Sequence, residues 1–366
     1  MTDTVRGILK LTKNGGVLRD PRRSFRADPS DPTVPRALID RFRLVEGADV
    51  EGPLRRGGRG QELGDVSGVC GLSPEAFRNR TPFADLVAVS PTRRFNLGAA
   101  GDLSMRVVDV VAPVGMGTRG LIASPPKAGK TEIIRKMAQG MRADCPEARI
   151  IVLLIDERPE EVTMFRRQVD AEVLSSSSDQ NTAEHVELAE LTLAHVRAEL
   201  ECGHHVVLLV DSLTRMGRAF NLKGSGSGRT MSGGVDSGAL EVPRRFFGLA
   251  RNIEGGGSVT ILASALIDTG SRMDDLIFEE FKGTGNSEIV LDRRLAEQRI
   301  FPAIDIAASG TRREAELFSP EDAERIALVR KGLAGRPPAE AMRALLKALE
   351  AHPDNAAFLA SIPRPS

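Results

Sequence analysis

Two rhythms of apolar and polar positions divide the chain. Up to about residue 80, short apolar pieces are cut by turn formers: Gly15-Gly16, Asp20-Pro21, Asp28-Pro29, Asp31-Pro32 and Arg56-Gly57-Gly58. Short strands between frequent turns predict a small β-barrel or sandwich over residues 1–80. The character changes across residues 81–102, which read as a linker. From Leu103 onward, unbroken apolar runs alternate with stretches of helical spacing. Gly120–Ala123, Ile150–Ile155, Val206–Val210, Val259–Ile267 and Glu288–Leu291 are expected as buried strands. Thr131–Met141, Pro159–Val169, Thr182–Glu201 and Leu240–Asn252 are expected as helices. This alternation predicts an α/β unit over residues 103–366, with a parallel sheet covered on both faces. The tail, about residues 319–366, reads as two or three amphipathic helices; Ser319 is a candidate cap and Pro337-Pro338 a break.

Composition narrows the function classes only a little. Of 366 residues, 41% are apolar and 27% charged, an ordinary globular balance. Lys plus Arg equals Asp plus Glu at 50 each, so net charge names no partner. Residues 1–60 hold thirteen Lys/Arg against eight Asp/Glu, a mild basic excess. Trp and Tyr are absent and Phe numbers fourteen, which removes most of the rings that grip single-stranded nucleic acid. Cys70, Cys145 and Cys202 have no paired spacing and are expected as free thiols, not a disulfide frame or zinc site. No charged-then-apolar leader opens the chain, and Ile150–Ile155 is too short to span a bilayer. A cytoplasmic chain with no membrane partner is the expectation.

Candidate chemistry concentrates in Ser124-Pro125-Pro126-Lys127-Ala128-Gly129-Lys130-Thr131, set between a predicted strand and a predicted helix. A phosphate-binding loop needs these residue types. Successive backbone N–H groups wrap the β-phosphate, Gly129 admits close approach, and the helix beginning near Lys130 points its positive end at the anion. Lys130 reaches the β/γ oxygens, and the Thr131 hydroxyl is a ligand for Mg2+. ATP is the nucleotide expected. His205–Asp211 (HVVLLVD) supplies a carboxylate at a strand end, Asp211, for the same metal. Ile150–Glu157 (IIVLLIDE) supplies Glu157, a candidate base for polarising the attacking water.

Those residues carry a resemblance. Ser124–Thr131 (SPPKAGKT), Leu154–Val162 (LIDERPEEV), Val207–Asn221 (VLLVDSLTRMGRAFN), Ala265–Asn286 (ALIDTGSRMDDLIFEEFKGTGN) and Ser309–Glu314 (SGTRRE) closely resemble the bacterial transcription termination factor Rho family, almost without a gap from about Leu103. The resemblance implies a RecA-like P-loop ATPase domain preceded by a cold-shock/OB-like RNA-binding barrel. It implies an RNA-dependent ATPase and 5′-to-3′ translocase in transcription termination, working as a homohexamer ring on the nascent transcript, with RNA polymerase a possible partner. A ring-forming RNA-binding protein that terminates poorly is the alternative.

By residue, the resemblance puts Lys127, Ala128, Gly129, Lys130, Thr131 and Glu132 on the nucleotide. It puts Phe301 against adenine, Thr131 and Asp211 on magnesium, and Glu157 as the base. Arg312 falls on an arginine finger inserted into a neighbouring subunit. RNA contacts fall in Gly224–Gly234 at Arg229, and at Lys282, Gly283 and Thr284. The chain departs from the family at Glu132, usually apolar, and at Ser124, usually alanine. In the barrel, Gly16, Val17 and Thr33 stand where aromatic rings are usual. The RNA grip there should be degenerate and mostly electrostatic, through Arg19, Arg22 and Arg23.

Overall fold

The computed structural model describes residues 4–57, 60–224, 234–236 and 238–363. Its first unit is a closed five-stranded barrel of the OB-like kind. β1 (Thr4–Thr12) and β2 (Gly15–Arg19) form a hairpin around Lys13-Asn14, the register pairing Thr12 with Gly15. β3 (Thr33–Pro35), β5 (Gly60–Leu63) and β4 (Asp49–Gly57) continue the sheet, and β4 pairs back on β1 to close it. β6 (Gly68–Val69) adds to β4. Leu9, Leu18, Val34, Val50 and Leu63 point inward, plugged by Ile39 and Phe42 of α1 (Arg36–Phe42) and by Phe77 of α2 (Pro74–Arg78).

The second unit is the α/β sheet that the sequence predicts. After β7 (Ala88–Val89) come β8 (Arg119–Ser124), β9 (Arg149–Glu157), β10 (Glu172–Ser177), β11 (His205–Asp211), β12 (Arg251–Ile253), β13 (Ser258–Leu266), β14 (Ser287–Val290) and β15 (Gly310–Thr311). The main order is β10-β9-β11-β13-β8-β14-β15, parallel throughout except for β15. Alternate residues of each central strand enter opposite cores. Ile150, Val152, Leu154, Val207 and Leu209 face one; Ile151, Leu153, Ile155, Val206 and Leu208 face the other. That two-sided burial is why these strands read as continuous apolar runs.

The first face is covered by α3 (Leu103–Val111), α4 (Lys130–Asp144), α5 (Pro159–Gln168) and the tail. The second is covered by α6 (Thr182–Glu201), α7 (Leu213–Gly224), α8 (Glu241–Phe247) and α9 (Arg272–Lys282). α10 (Arg293–Glu297) follows β14, and the tail forms α11 (Pro320–Leu333), α12 (Pro338–Glu350) and α13 (Asn355–Ala360). Ser319 caps α11, its hydroxyl accepting from Asp322 N–H at 3.1 Å.

One expected helix is too long. Leu240–Asn252 splits into α8 and strand β12, because Gly248 caps the helix and Arg251-Asn252 pair with Val259-Ser258 of β13. Edge strand β10 carries three serines in succession, and that polarity hides it from an apolar pattern. No helix among the described residues is long and apolar enough to cross a membrane.

The barrel sits on α6. Gly47 (φ 81°) lies so close that a Cβ there would stand 2.2 Å from His195 N, and the buried His195 donates from Nδ1 to the Gly47 carbonyl at 2.9 Å. Arg80 pairs with Glu201 at 2.8 Å, and Arg149 of β9 bridges Asp49 of the barrel and Glu199 of α6.

Candidate active site

Parallel strands place their carboxyl ends on one edge, and the candidate groups collect there. β8 ends at Ser124, the loop turns through Lys127 (φ 66°) and Gly129 (φ 96°), and α4 starts at Lys130. Only glycine adopts such a φ without strain, so Gly129 lets the chain fold tightly under an anion at the helix N-terminus. Ala128 is buried beneath the loop, while Lys127 is exposed at its crest.

Lys130 is held by two carboxylates. Its Nζ donates to Glu157 Oε1 at 3.1 Å, at the end of β9, and to Asp211 Oδ1, at the end of β11. Burial disfavours its charge, yet Asp211 and Glu157 hold the ammonium above its ordinary pKa. Glu157 is pushed up by burial and by the nearby Asp211 carboxylate. A carboxylate raised in this way is a better proton acceptor than a free one. Asp211 is fully buried; its Oδ1 also accepts from Ser264 at 2.9 Å, while its Oδ2 has no protein partner. A buried carboxylate oxygen left unpaired beside a phosphate loop suits a hard cation.

Two groups here were not anticipated. Thr131 Oγ1 donates to Glu161 Oε2 at 3.1 Å, so a third acid stands beside the metal candidates. Arg215, one turn into α7, donates to Asp156 at 2.9 Å and lies 3.3 Å from Glu157 Oε1. The acidic run around Glu157 signalled Glu161, but nothing local to Arg215 signals that α7 turns it back toward β9.

The other predicted residues fall in three places. Phe301 borders the loop, its Cε1 4.0 Å from where a Cβ on Gly129 would sit, and it is 49% exposed. A large ring left half open to water at this spot has a free face on which a flat ligand can pack. Glu132 faces outward on α4, paired with Arg135 at 2.5 Å. Arg312 and Lys282 lie elsewhere. Arg312 N–H donates to the Asn286 carbonyl at 2.7 Å, and Asn286 Oδ1 in turn accepts from Arg119, the first residue of β8, at 2.8 Å. Thr284, next to Gly283, has its carbonyl on Arg119 Nη1 at 3.2 Å. These residues therefore occupy the amino edge of the sheet. β8 is six residues long, so about 20 Å of strand separates them from the phosphate loop. Lys282, Glu288 and Arg312 line one cavity of about 300 Å³ at that edge.

Arg229 lies outside the described residues. The segment's flanks are anchored, Asn221 Nδ2 donating to the Gly234 carbonyl at 3.1 Å and Asn221 Oδ1 accepting from Asp236 at 2.7 Å.

The barrel's remaining cations are less free than the sequence suggests. Arg19 pairs with Asp31 at 2.5 Å, Arg22 with Asp20 at 3.0 Å, and Arg23 with Asp28 at 2.5 Å and Asp31 at 2.6 Å. The turn-forming aspartates that punctuate the sequence also neutralise its arginines. Gly16 is closely overlain by Leu9, whose Cδ1 would be 2.5 Å from any added Cβ.

Comparison with known proteins bears on the family and the fold. Residues 104–311 match the ATP synthase alpha/beta family, nucleotide-binding domain. The chain is 46% identical to transcription termination factor Rho of Chromobacterium violaceum, covering 98% of this chain and 88% of that protein. It is likewise 46% identical to the Streptomyces coelicolor factor, covering 98% and 86%. With the Gemmatimonas aurantiaca factor it shares 45% identity, but spans only 50% of that longer protein. Among solved structures, a prototypical ATPase from the type III secretion system of pathogenic bacteria superposes with a TM-score of 0.60 at 23% identity, over 77% of this chain and 87% of that one, a likeness of fold.

Proposed function

Because the chain belongs to the transcription termination factor Rho family and is an ATP-hydrolysing enzyme, we infer that it is an RNA-dependent ATPase that translocates 5′ to 3′ on nascent RNA in transcription termination. The reading assigns residues 1–80 to a degenerate RNA-binding barrel, 81–102 to a linker and 103–366 to the motor. In the motor, backbone N–H groups of Lys127–Thr131 cradle the phosphates and Phe301 packs on the adenine. Lys130 leaves its carboxylate partners for the β/γ oxygens. That frees Glu157 to accept a proton from the attacking water. Thr131, Asp211 and Glu161 are the groups that suit Mg2+, which when bound neutralises charge on the phosphate oxygens.

The observation that carries the reading is the separation of Arg312 from Lys130 across the sheet. An arginine finger stabilises charge on the transferring phosphoryl group and is worth roughly 10³–10⁵ in rate. Arg312 is exposed, and it cannot serve the site of its own chain from the opposite edge. Each site is thus completed by a second copy, which a closed ring of six provides. Lys282, Gly283 and Thr284, together with Arg229, supply the contacts to RNA phosphate. RNA polymerase is a partner in the same process, in the cytoplasm.

Mixing tests the assignment. Arg312→Ala and Lys130→Ala chains are each expected to be inactive alone, and mixed rings are expected to regain part of the RNA-stimulated ATP turnover. Rings shown by mass to contain both variants, yet still inactive, would place the whole site within one chain.

A further inference from the structure

The seam between barrel and motor brings together two thiols that the sequence holds far apart. Cys70 follows β6 with a left-handed backbone (φ 48°), and Gly71 continues the turn (φ 76°). Cys202 is the C-cap of α6, followed by Gly203 (φ 82°) and His204. The two turns face each other: a Cβ on Gly71 would stand 3.8 Å from His204 Cε1. The Cys202 side chain packs against the apolar cluster in which Cys70 is buried. Both belong to one apolar cluster with Phe77 and Ala198, and Asp49 N–H donates to Cys70 Sγ at 3.4 Å. Cys70 is 1% exposed, whereas Cys202 is only partly buried and opens to solvent. Cys145 lies in the other core, away from this pair.

We propose that Cys70 and Cys202 are a thiol modification site at which a low-molecular-weight disulfide of the glutathione class is reduced, leaving an intrachain disulfide that joins the barrel to the ATPase unit. Accessibility sets the order of events. The Cys202 sulfur, as thiolate, attacks one sulfur of the small disulfide, breaking its S–S bond and releasing one small thiol. The Cys70 sulfur then attacks Cys202 Sγ, the mixed disulfide breaks, and the second small thiol leaves. The protein loses two electrons and two protons, and the small disulfide gains both as two thiols. The neighbouring Cys202 and burial keep the Cys70 thiol protonated, so the second step is slow and quickens as pH rises. Packing of both side chains in one cluster offsets this, because the two turns already face each other.

The site is independent of the nucleic-acid reading, and its test uses the full chain. Incubation with excess oxidised glutathione at mildly alkaline pH is expected to give a product lighter by two hydrogens, with a peptide linking Cys70 to Cys202. Dithiothreitol should reverse it, and the thermal midpoint should rise by several degrees before reversal. The Cys202→Ser chain keeps a small polar group at a partly exposed position; it should stay folded and give no link. A stable glutathione adduct on Cys202 with Cys70 still free, or Cys202 joined to a second chain, would overturn the proposal.

Discussion

Lys130, Thr131, Asp211 and Glu157 were legible because each is fixed by its own backbone: a loop before a helix, or the last residues of an apolar strand. Arg215 was not, because its place depends on how α7 leans over the sheet; Glu161 was missed although the acidic run around Glu157 pointed to it. For Glu157 the expected outcome of Glu157→Gln is retained ATP binding with turnover lower by about 10²–10⁴-fold, since the amide cannot take a proton from water. Equilibrium nucleotide binding beside single-turnover hydrolysis measures both, and near-normal hydrolysis would remove Glu157 from the role. Asp109 is a quieter residue that the sequence did not flag. It is buried in α3 and accepts from Leu97 N–H at 3.2 Å and Gly98 N–H at 2.8 Å. Burial pushes its pKa up to about 7 from 3.8. The folded form therefore binds a proton that the unfolded chain has released, and this contribution to stability fades as pH rises from about 4 to about 7. Asp109→Asn should flatten that part of the stability–pH curve, read from denaturation midpoints across the window. An unchanged slope would show that Asp109 is ionised throughout.

Elements with one dominant signal were readable. β9, β11 and β13 announced themselves as apolar runs, and α6 matched its expected span from Thr182 to Glu201. Elements that depend on partners were not: β10 is held by pairing with β9 despite its serines, and β12 exists because β13 pairs with it. The contact of Gly47 with α6 belongs at this scale, since a single missing side chain sets the distance between two elements. Gly47→Ala adds a Cβ against helix backbone and imposes a left-handed conformation that alanine disfavours by about 1–2 kcal/mol. Overpacking adds about 1–3 kcal/mol. The sum is a loss of stability of at least about 2 kcal/mol, measurable by denaturant titration. A variant as stable as the parent would mean that the barrel can shift on α6 without cost.

Across the whole molecule, the barrel is welded to the ATPase unit by three contacts: His195 on Gly47, Arg149 between Asp49 and Glu199, and Arg80 on Glu201. Its sequence showed the missing rings but not that its arginines are already occupied by Asp20, Asp28 and Asp31, a pairing that only the folded turns bring about. The chain should therefore bind oligo(dC) and oligo(dA) with similar affinity at matched salt, the barrel adding little to the salt dependence because its arginines are already paired. Strong, salt-resistant preference for oligo(dC) in a filter or anisotropy assay would show that the barrel reads bases by other means. The distance between the two edges of the sheet has a consequence of its own. With Arg312 assigned, as proposed, to a neighbour's site, each chain is half a catalyst, and competence becomes a matter of mass action. Turnover per chain is then not a fixed property of this polypeptide: it should fall away on dilution as neighbours are lost, and return when they are restored.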